Sequence, residues 1–402
     1  MNATFAQVVA APAGNPHWSA PPPPLSLYVH LPWCVRKCPY CDFNSHRAGP
    51  SLPEDAYVDA LIRDLDYDLP RVDNRPLLSI FFGGGTPSLF SAAAIDRVLA
   101  AVRARLPLAR GCEITLEANP GASEQTRFAG YRAAGVNRLS IGVQSLNDAM
   151  LTRLGRIHTA ADARAAVVAA RAAGFDNINL DLMYGLPDQS VEAARADLSG
   201  VMALAPEHVS CYQLALEPGT PFHHRPPPLP DDDARMDMHG QAQEMLATGG
   251  YQHYEVSAWA KPRLACRHNL NYWQFGDYLG IGAGAHSKLT HSDGVARLAR
   301  QPMPNRFRAD AGGAAAVLGQ RVLAADDLRF EFLMNALRLP QGFDRGLYVA
   351  RTGQDWDTLR CWLQPWIARG LVRAEDDRLA PTEFGLRHLD GLLAQLLPET
   401  AE

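Results

Sequence analysis

Short apolar runs exchange regularly with alanine-rich helical stretches from residue 25 onwards, and nothing else in the chain limits its fold as tightly. Leu25-Ser-Leu-Tyr-Val-His-Leu31 alternates apolar and polar with period two, as a strand does. Similar runs recur at Leu77–Phe82, Glu113–Glu117, Arg138–Val143, Asn177–Leu182 and Val209–Leu214. Between the first two, Pro53 can open a helix in which Tyr57, Val58, Leu61, Ile62, Leu65 and Leu69 recur at helical spacing. The later gaps hold Ala92–Leu106, Ser123–Ala134, Ala160–Ala173 and Ser190–Leu204. Strand–helix exchange at about 30 residues per unit calls for parallel strands joined by right-handed crossovers. Six such units predict an α/β fold, a partial parallel (β/α)6-type barrel.

The polar punctuation points to one pocket. Gly83-Gly-Gly-Thr-Pro87, Glu117-Ala-Asn-Pro120, Gly142-Val-Gln-Ser145 and Asp181-Leu-Met-Tyr-Gly-Leu-Pro187 all fall at or just past a strand's end. In parallel α/β sheets that edge is where ligands bind. Turns collect glycine, proline and asparagine on their own account, but four such turns at one edge favour a shared site. The glycine run lacks the Gly-x-Gly-x-x-Gly spacing of a dinucleotide fingerprint.

Glu217–Pro230, with Pro218, Pro221 and Pro226–Pro228, reads as an extended connection, and Asp231–Ala247 as a helix opened by three aspartates. Beyond residue 300 short helices follow at Asp326–Leu337, Gly346–Thr352 and Trp356–Arg369. A small hairpin around Glu375-Asp-Asp377 and a last helix near Glu383–Leu397 complete the chain. The expected division is therefore a disordered proline-rich start at 1–24, the barrel with its extension at 25–299, and a mainly helical, winged-helix-like domain at 300–402. Acidic residues at the wing tip and a net charge of −5, from 38 basic and 43 acidic side chains, exclude a broad grip on nucleic acid. The wing is read as a structural or lid element.

The first 24 residues carry no basic n-region and no long apolar core, so they are expected to be neither a secretory signal nor a transit peptide. No apolar run approaches the ~18 residues of a membrane span. Seven cysteines, an odd number, argue for a reducing compartment, and a cytoplasmic location is expected.

Cys34, Cys38 and Cys41 fall within eight positions on a loop. Three thiolates so close can wrap one soft metal centre. Structural zinc needs a fourth ligand, for which only His46 is near. Three cysteines suit a [4Fe-4S] cluster with one iron left open to a substrate or cofactor.

Here the chain resembles the radical S-adenosylmethionine (SAM) superfamily, whose signature is Cys-x3-Cys-x2-Cys. The resemblance implies that SAM chelates the open iron through its amino and carboxylate groups. One electron from the reduced cluster then cleaves the sulfonium to a 5′-deoxyadenosyl radical. Such chemistry belongs to the cofactor, while the protein ligates, orients and excludes water. Within the superfamily, from about Leu25 to its end, the chain resembles the oxygen-independent coproporphyrinogen III oxidase group. By that resemblance Tyr28 and Tyr40 contact SAM, Gly84, Gly85 and Thr86 meet its methionine end, and Glu117, Gln144, Arg156 and Asp181 supply polar contacts. Ala215 matches an adenine-side contact. The residues suit those roles: bare glycine backbone permits close approach, and carboxylates can accept hydrogen bonds from ribose hydroxyls or an ammonium group.

Two departures tell against the oxidase itself. Phe43 stands where the oxidases carry a fourth cysteine, and the proline-rich start is too short and irregular for their substrate-covering segment. A gain points to the group's haem-chaperone branch: Arg267-His-Asn-Leu-Asn-Tyr-Trp273 contains the His-Asn-x-x-Tyr-Trp motif that marks it. Imidazole is a common axial ligand of haem iron, and aromatic rings can pack on a porphyrin face. His268, Asn269, Tyr272 and Trp273 are thus the candidate haem residues, with Cys266 the rival ligand. Tyr278–Ser287 is expected to be a glycine-rich turn closing over the SAM pocket. The function expected is haem capture and transfer by a protein holding a cluster and SAM. The alternative is the oxidase, which decarboxylates coproporphyrinogen by radical hydrogen abstraction, and whether the chain is an enzyme stays open. The implied partners are haem as cargo, acceptor haemoproteins and an electron donor such as flavodoxin or ferredoxin. Transient membrane-surface contact through the acceptors and a homodimer are left open.

Overall fold

The computed structural model describes residues 21–398. Most of the segment expected to be disordered lies outside the described residues. Its last four prolines lead into the first strand, where the Pro23 and Pro24 carbonyls accept from Arg75 and from the Asp277 N–H.

Six strands follow one another in both sequence and space: β1 (Leu25–Leu31), β2 (Leu77–Gly84), β3 (Leu108–Ala118), β4 (Arg138–Gln144), β5 (Ile178–Tyr184) and β6 (His208–Gln213). Each pairs in parallel with the next. Helices Glu54–Asp68, Ala92–Arg103, Phe128–Ala134, Ala160–Ala172 and Val191–Ala203 form the crossovers. The expected helix Ser123–Ala134 is two pieces, Ala122–Gln125 and Phe128–Ala134. Side-chain caps set three of the starts: Ser91, Thr159 and Ser190 each accept from the N–H three residues on. The strands' apolar faces and the helices' inner faces make one core, in which Leu27, Ile80, Leu116, Ile141 and Leu180 are almost wholly buried. This is the partial barrel that the alternation predicts.

Six further strands extend the sheet beyond what the alternation shows. β7 (Gln252–Glu255) and β8 (Ala258–Ala260) add antiparallel outside β6. On the other edge β9 (Asp277–Ile281) pairs in parallel with β1, and β10 (His286–His291), β11 (Gly294–Arg300) and β12 (Val317–Val322) continue antiparallel. The sheet of 12 strands runs β12-β11-β10-β9-β1-β2-β3-β4-β5-β6-β8-β7. Tyr278–Ile281 is thus a strand beside β1, not the turn expected there; the turn is Gly282–Ala285 alone. The Glu217–Pro230 connection contains a short helix, Pro221–His224.

The large sheet runs past residue 299 to Val322, and a second core gathers from Leu323 onwards around Phe332, Phe343, Tyr348 and Trp356. Helices Ala325–Ala336, Arg345–Thr352 and Trp356–Trp362 precede the hairpin Val372–Glu375/Arg378–Pro381, which the short strand Phe343–Asp344 joins. The expected single helix Trp356–Arg369 stops at Trp362 and restarts at Gln364, with Pro365 in the new first turn. Arg338 with Glu255 (3.0 Å) and Arg351 with the Gln274 carbonyl (3.2 Å) fasten this unit to the sheet.

Candidate functional site

The cysteine loop leaves β1 and is pinned shut at its base. Trp33–Cys34 pairs with His46–Arg47, and the His46 and Ala48 N–H groups donate to the Pro32 and Cys34 carbonyls at 2.7 and 2.8 Å. Lys37 reaches across the loop to the Phe43 carbonyl at 2.9 Å. Cys34, Cys38 and Cys41 are half-buried, form no disulfide, and line one cavity with Tyr40, Gly84, Gly85, Thr86, Glu117, Gln144, Arg156 and Asp181. Ends of β2, β3 and β4 and the middle of β5 bring these residues together, as the four turns imply. The cavity wall also contains Asn119, Ser140, Gly142 and Tyr212, which sequence reasoning did not single out as contacts, although Asn119 and Gly142 belong to the quoted turns.

Two of the expected contacts depart from this picture. Tyr28 lies deeper, its hydroxyl 2.9 Å from His30 Nδ1, and it lines an adjoining cavity instead. Ala215 is exposed just beyond β6 and does not line the cavity. His46, the only near candidate for a zinc site, sits on the closing strand with Nε2 at 3.2 Å from Asn44 Oδ1, outside the cavity.

The glycines are there because their neighbours leave no room for a side chain. A Cβ on Gly85 would lie 2.6 Å from the Trp33 carbonyl oxygen, and Gly84 holds φ +112° with the His30 ring under 3 Å from where its Cβ would be. Gln144 ends β4 in the left-handed region at φ 66°, which is uncommon for a non-glycine residue. That conformation aims its Oε1 at the Tyr212 hydroxyl, 2.9 Å away.

Arg156 organises the floor. Its guanidinium donates to Asn119 Oδ1 (2.7 Å) and the Gly142 carbonyl (2.9 Å), and Nη1 stands 3.8 Å from Cys38 Sγ. Its buried Nε has no partner, so an acceptor is wanted there. Thr86 Oγ1 donates to Cys34 Sγ at 3.4 Å. Burial pushes the Cys34 and Cys41 thiols up, and hydrogen bonds at each oppose the shift. Among the described residues no three His, Cys, Asp or Glu side chains close on a single-ion point. An iron–sulfur cluster asks less, since each thiolate takes its own iron. Three free thiols beside a guanidinium with an unsatisfied donor fit such a cluster and an anionic ligand next to it.

The Glu117 carboxyl is strongly perturbed by its surroundings in the cavity. Burial, then the Asp181 carboxylate, push it up to about 8, while a hydrogen bond from the Gly84 N–H opposes them. Asp181, also raised by burial, accepts from Asn179 Nδ2 at 2.7 Å. Between its unfolded value and about 8 the folded state keeps a proton that the unfolded chain has lost. Stability is then highest below the unfolded pKa and falls as pH rises towards the folded one. Urea unfolding of the cluster-free chain should weaken from about pH 5 to about pH 8 more steeply than that of Glu117→Gln. Parallel pH profiles for the two would refute this.

Beside this cavity lies a second, of about 410 Å³, which shares Phe43, Gly84 and Glu117 with it. Tyr28, His30, Asn44, Tyr272, Tyr278, Gly284 and His286 complete the lining. Of the four motif residues only Tyr272 reaches it. His268 is buried in the helix Arg267–Trp273, stacked on Phe81 at 4.6 Å, with Nδ1 3.3 Å from Ser79 Oγ. Burial, then the Arg138 charge, push its pKa down to about 3. Asn269 donates to the Tyr254 hydroxyl at 3.1 Å, and Trp273 lies under the Arg338 guanidinium at 4.2 Å. Cys266, the rival ligand, is buried against Glu113 Oε1 at 3.3 Å. The motif mainly anchors a helix packed on β1, β2 and β9, a long-range fact that spacing does not reveal.

Residues 28–198 match the family model of the radical SAM superfamily, and residues 323–388 that of the HemN C-terminal domain. The chain is 50 % identical over 378 residues to the heme chaperone HemW of Escherichia coli (strain K12), a match covering 94 % of this chain and 99 % of that one. With the HemW of Haemophilus influenzae it shares 45 % over 382 residues, covering 94 % and 99 %. Among solved structures, coproporphyrinogen III oxidase (HemN) of Escherichia coli, a radical SAM enzyme, has a TM-score of 0.79 at 24 % identity, covering 93 % of this chain and 90 % of that chain, a likeness of fold. Near-complete matches at such identity leave one assignment: the chain belongs to the HemW family of the radical SAM superfamily.

Proposed function

We propose that the protein is a haem chaperone: it holds a [4Fe-4S] cluster and SAM, captures haem and passes it to acceptor haemoproteins. The observation that carries this is identity to the heme chaperone HemW across nearly the whole of both chains. Phe43 supports it, since a phenylalanine 60 % exposed stands where the oxidases carry their fourth cysteine.

In this reading Cys34, Cys38 and Cys41 each bind one iron, and Arg156 steadies the thiolate of Cys38. Tyr40, Gly84, Gly85, Thr86, Glu117, Gln144 and Asp181 hold SAM beside the cluster, with Tyr28 behind them. A reduced cluster, when bound, supplies the single electron that cleaves the sulfonium of SAM. The unsatisfied Arg156 Nε suits a carboxylate, and the Glu117–Asp181 pair suits a cationic group. The adjoining aromatic cavity takes the haem, with Tyr272 in its wall and His268, Asn269 and Trp273 fixing the helix that carries it. An electron donor such as flavodoxin or ferredoxin, a cytoplasmic location and a homodimer belong to the same reading. Among the described residues no helix is long and apolar enough to cross a membrane.

Haem titrated into the anaerobically reconstituted protein should raise a Soret band that saturates at one equivalent. The same protein given SAM, a reductant and coproporphyrinogen III should form no protoporphyrinogen IX. Absence of haem binding, or formation of that product, would overturn the chaperone reading.

A further inference from the structure

We propose that Asn179, His208, Tyr254 and the motif residue Asn269 form a line of hydrogen bonds that positions the Asp181 carboxylate for SAM. The inference rests on the reading of the cysteine-lined cavity as the SAM site and names residues behind its wall that serve it.

Strand register builds the line. Asn179 and Asp181 stand two apart on β5 and so share a face of the sheet. Parallel pairing sets His208 of β6 beside Asn179 and Ser210 beside Asp181. Asn179 Nδ2 lies 2.7 Å from Asp181 Oδ1, and Asn179 Oδ1 lies 2.6 Å from His208 Nδ1. The other imidazole nitrogen, Nε2, is 2.8 Å from the hydroxyl of Tyr254 on β7, which in turn accepts from Asn269 Nδ2 at 3.1 Å. Asn179 and His208 are buried, and of these five residues only Asp181 lines the cavity.

The chemistry gives every bond in the line the same direction. A carboxylate only accepts, so the Asn179 amide nitrogen faces Asp181 and the Asn179 carbonyl takes its hydrogen from His208. Burial, then the Arg138 charge, hold His208 well below the usual imidazole range, so its ring is neutral and carries one N–H. That hydrogen is on Nδ1, which leaves Nε2 to accept from the Tyr254 O–H and the Tyr254 oxygen to accept from Asn269. Four donors thus point one after another towards Asp181, an arrangement in which each bond polarises the next. Two serines fix the Asn179 amide in this orientation: its Nδ2 also donates to Ser140 Oγ at 2.8 Å, and Ser210 Oγ donates to its Oδ1 at 3.1 Å. The Asn179 bond opposes the burial that raises Asp181. A line serving stability alone gains little from polar groups in a barrel interior, where well-packed apolar side chains do as well. Its end in the cavity gives it a task, which is to keep Asp181 charged and aimed beside Glu117.

The test measures SAM binding to the cluster-loaded protein by equilibrium dialysis, with matched iron and sulfide contents showing that each variant has folded. Tyr254→Phe removes one oxygen and should weaken SAM binding roughly three- to tenfold, and Asn269→Ala, one bond further out, by less. His208→Leu should weaken it at least as much as Tyr254→Phe does. His208→Asn, whose amide N–H can take the place of the Nδ1–H, should recover part of that loss. Because Tyr254 acts through Asp181, Tyr254→Phe should have no further effect in an Asp181→Ala background. The proposal falls if Tyr254→Phe and His208→Leu bind SAM like the wild type. It falls equally if Tyr254→Phe weakens binding to the same extent with and without the Asp181 carboxylate, as a general loosening of the fold would. A wild-type protein that binds no SAM would instead bring down the reading of the cavity beneath it.

Discussion

Cys38→Ala should leave the chain almost without iron and acid-labile sulfide after anaerobic reconstitution, while its far-UV circular dichroism stays that of the wild type. The loop keeps its shape through backbone bonds at its base, from His46 to Pro32 and from Ala48 to Cys34, none of which uses the Cys38 side chain. What is lost is one of three thiolates lining the cavity, and no other cysteine can replace it. Cys112, Cys211 and Cys266 are buried elsewhere, and Cys361 lies in the carboxyl-terminal unit. Removing the thiol also strips the Arg156 Nη1 group of its sulfur neighbour. Full iron and sulfide content in the variant would show that Cys38 is not a ligand.

Asp277→Asn should cost about 3–5 kcal/mol in urea unfolding, the loss expected when one partner of a buried ion pair is removed. Asp277 is wholly buried and accepts four hydrogen bonds: from Arg75 and Lys288 side chains at 2.8 and 2.9 Å, and from the Thr290 N–H and hydroxyl at 2.9 and 2.8 Å. Lys288, only 1 % exposed, would lose its counter-ion. Burial already brings that ammonium down to about 8, so it can shed its proton, and this bounds the damage. Adding Lys288→Met should recover part of the loss. The site is affected as well, because Asp277 starts the strand whose next residue, Tyr278, lines the aromatic cavity. A loss below ~1 kcal/mol would mean that the pair adds little over a neutral hydrogen bond.

The parallel strands and the cysteine loop were legible because local chemistry writes them. Leu25–Leu31 alternates along its own length, Gly84 is held at positive φ beside the His30 ring and Gly85 against the Trp33 backbone, and three thiols in eight positions have few uses. The antiparallel strands from Gln252 to Val322 left a weaker trace, since several are short and their pairing is decided by the neighbouring strand. The burial of His268 was hidden for a related reason: Ser79, Phe81 and Tyr28, which enclose it, lie far away in the sequence. A motif histidine among aromatics looks the same on paper whether the rings form a ligand pocket or a packed core. The acidic hairpin tip, by contrast, was read correctly as a turn: Asp376 adopts φ 46° there.

The order of strands in the sheet also sets the order in which they can be satisfied during synthesis. From β1 to β6 every strand meets its neighbour soon after leaving the ribosome, so this half can assemble vectorially, one unit at a time. The other edge of β1 has no such early partner, because Leu25 pairs with Asp277. A nascent chain therefore carries an apolar, unpaired strand edge until more than half of the protein has been made. Any chaperoning this protein gives to others follows a period in which its own first strand must be kept from strangers.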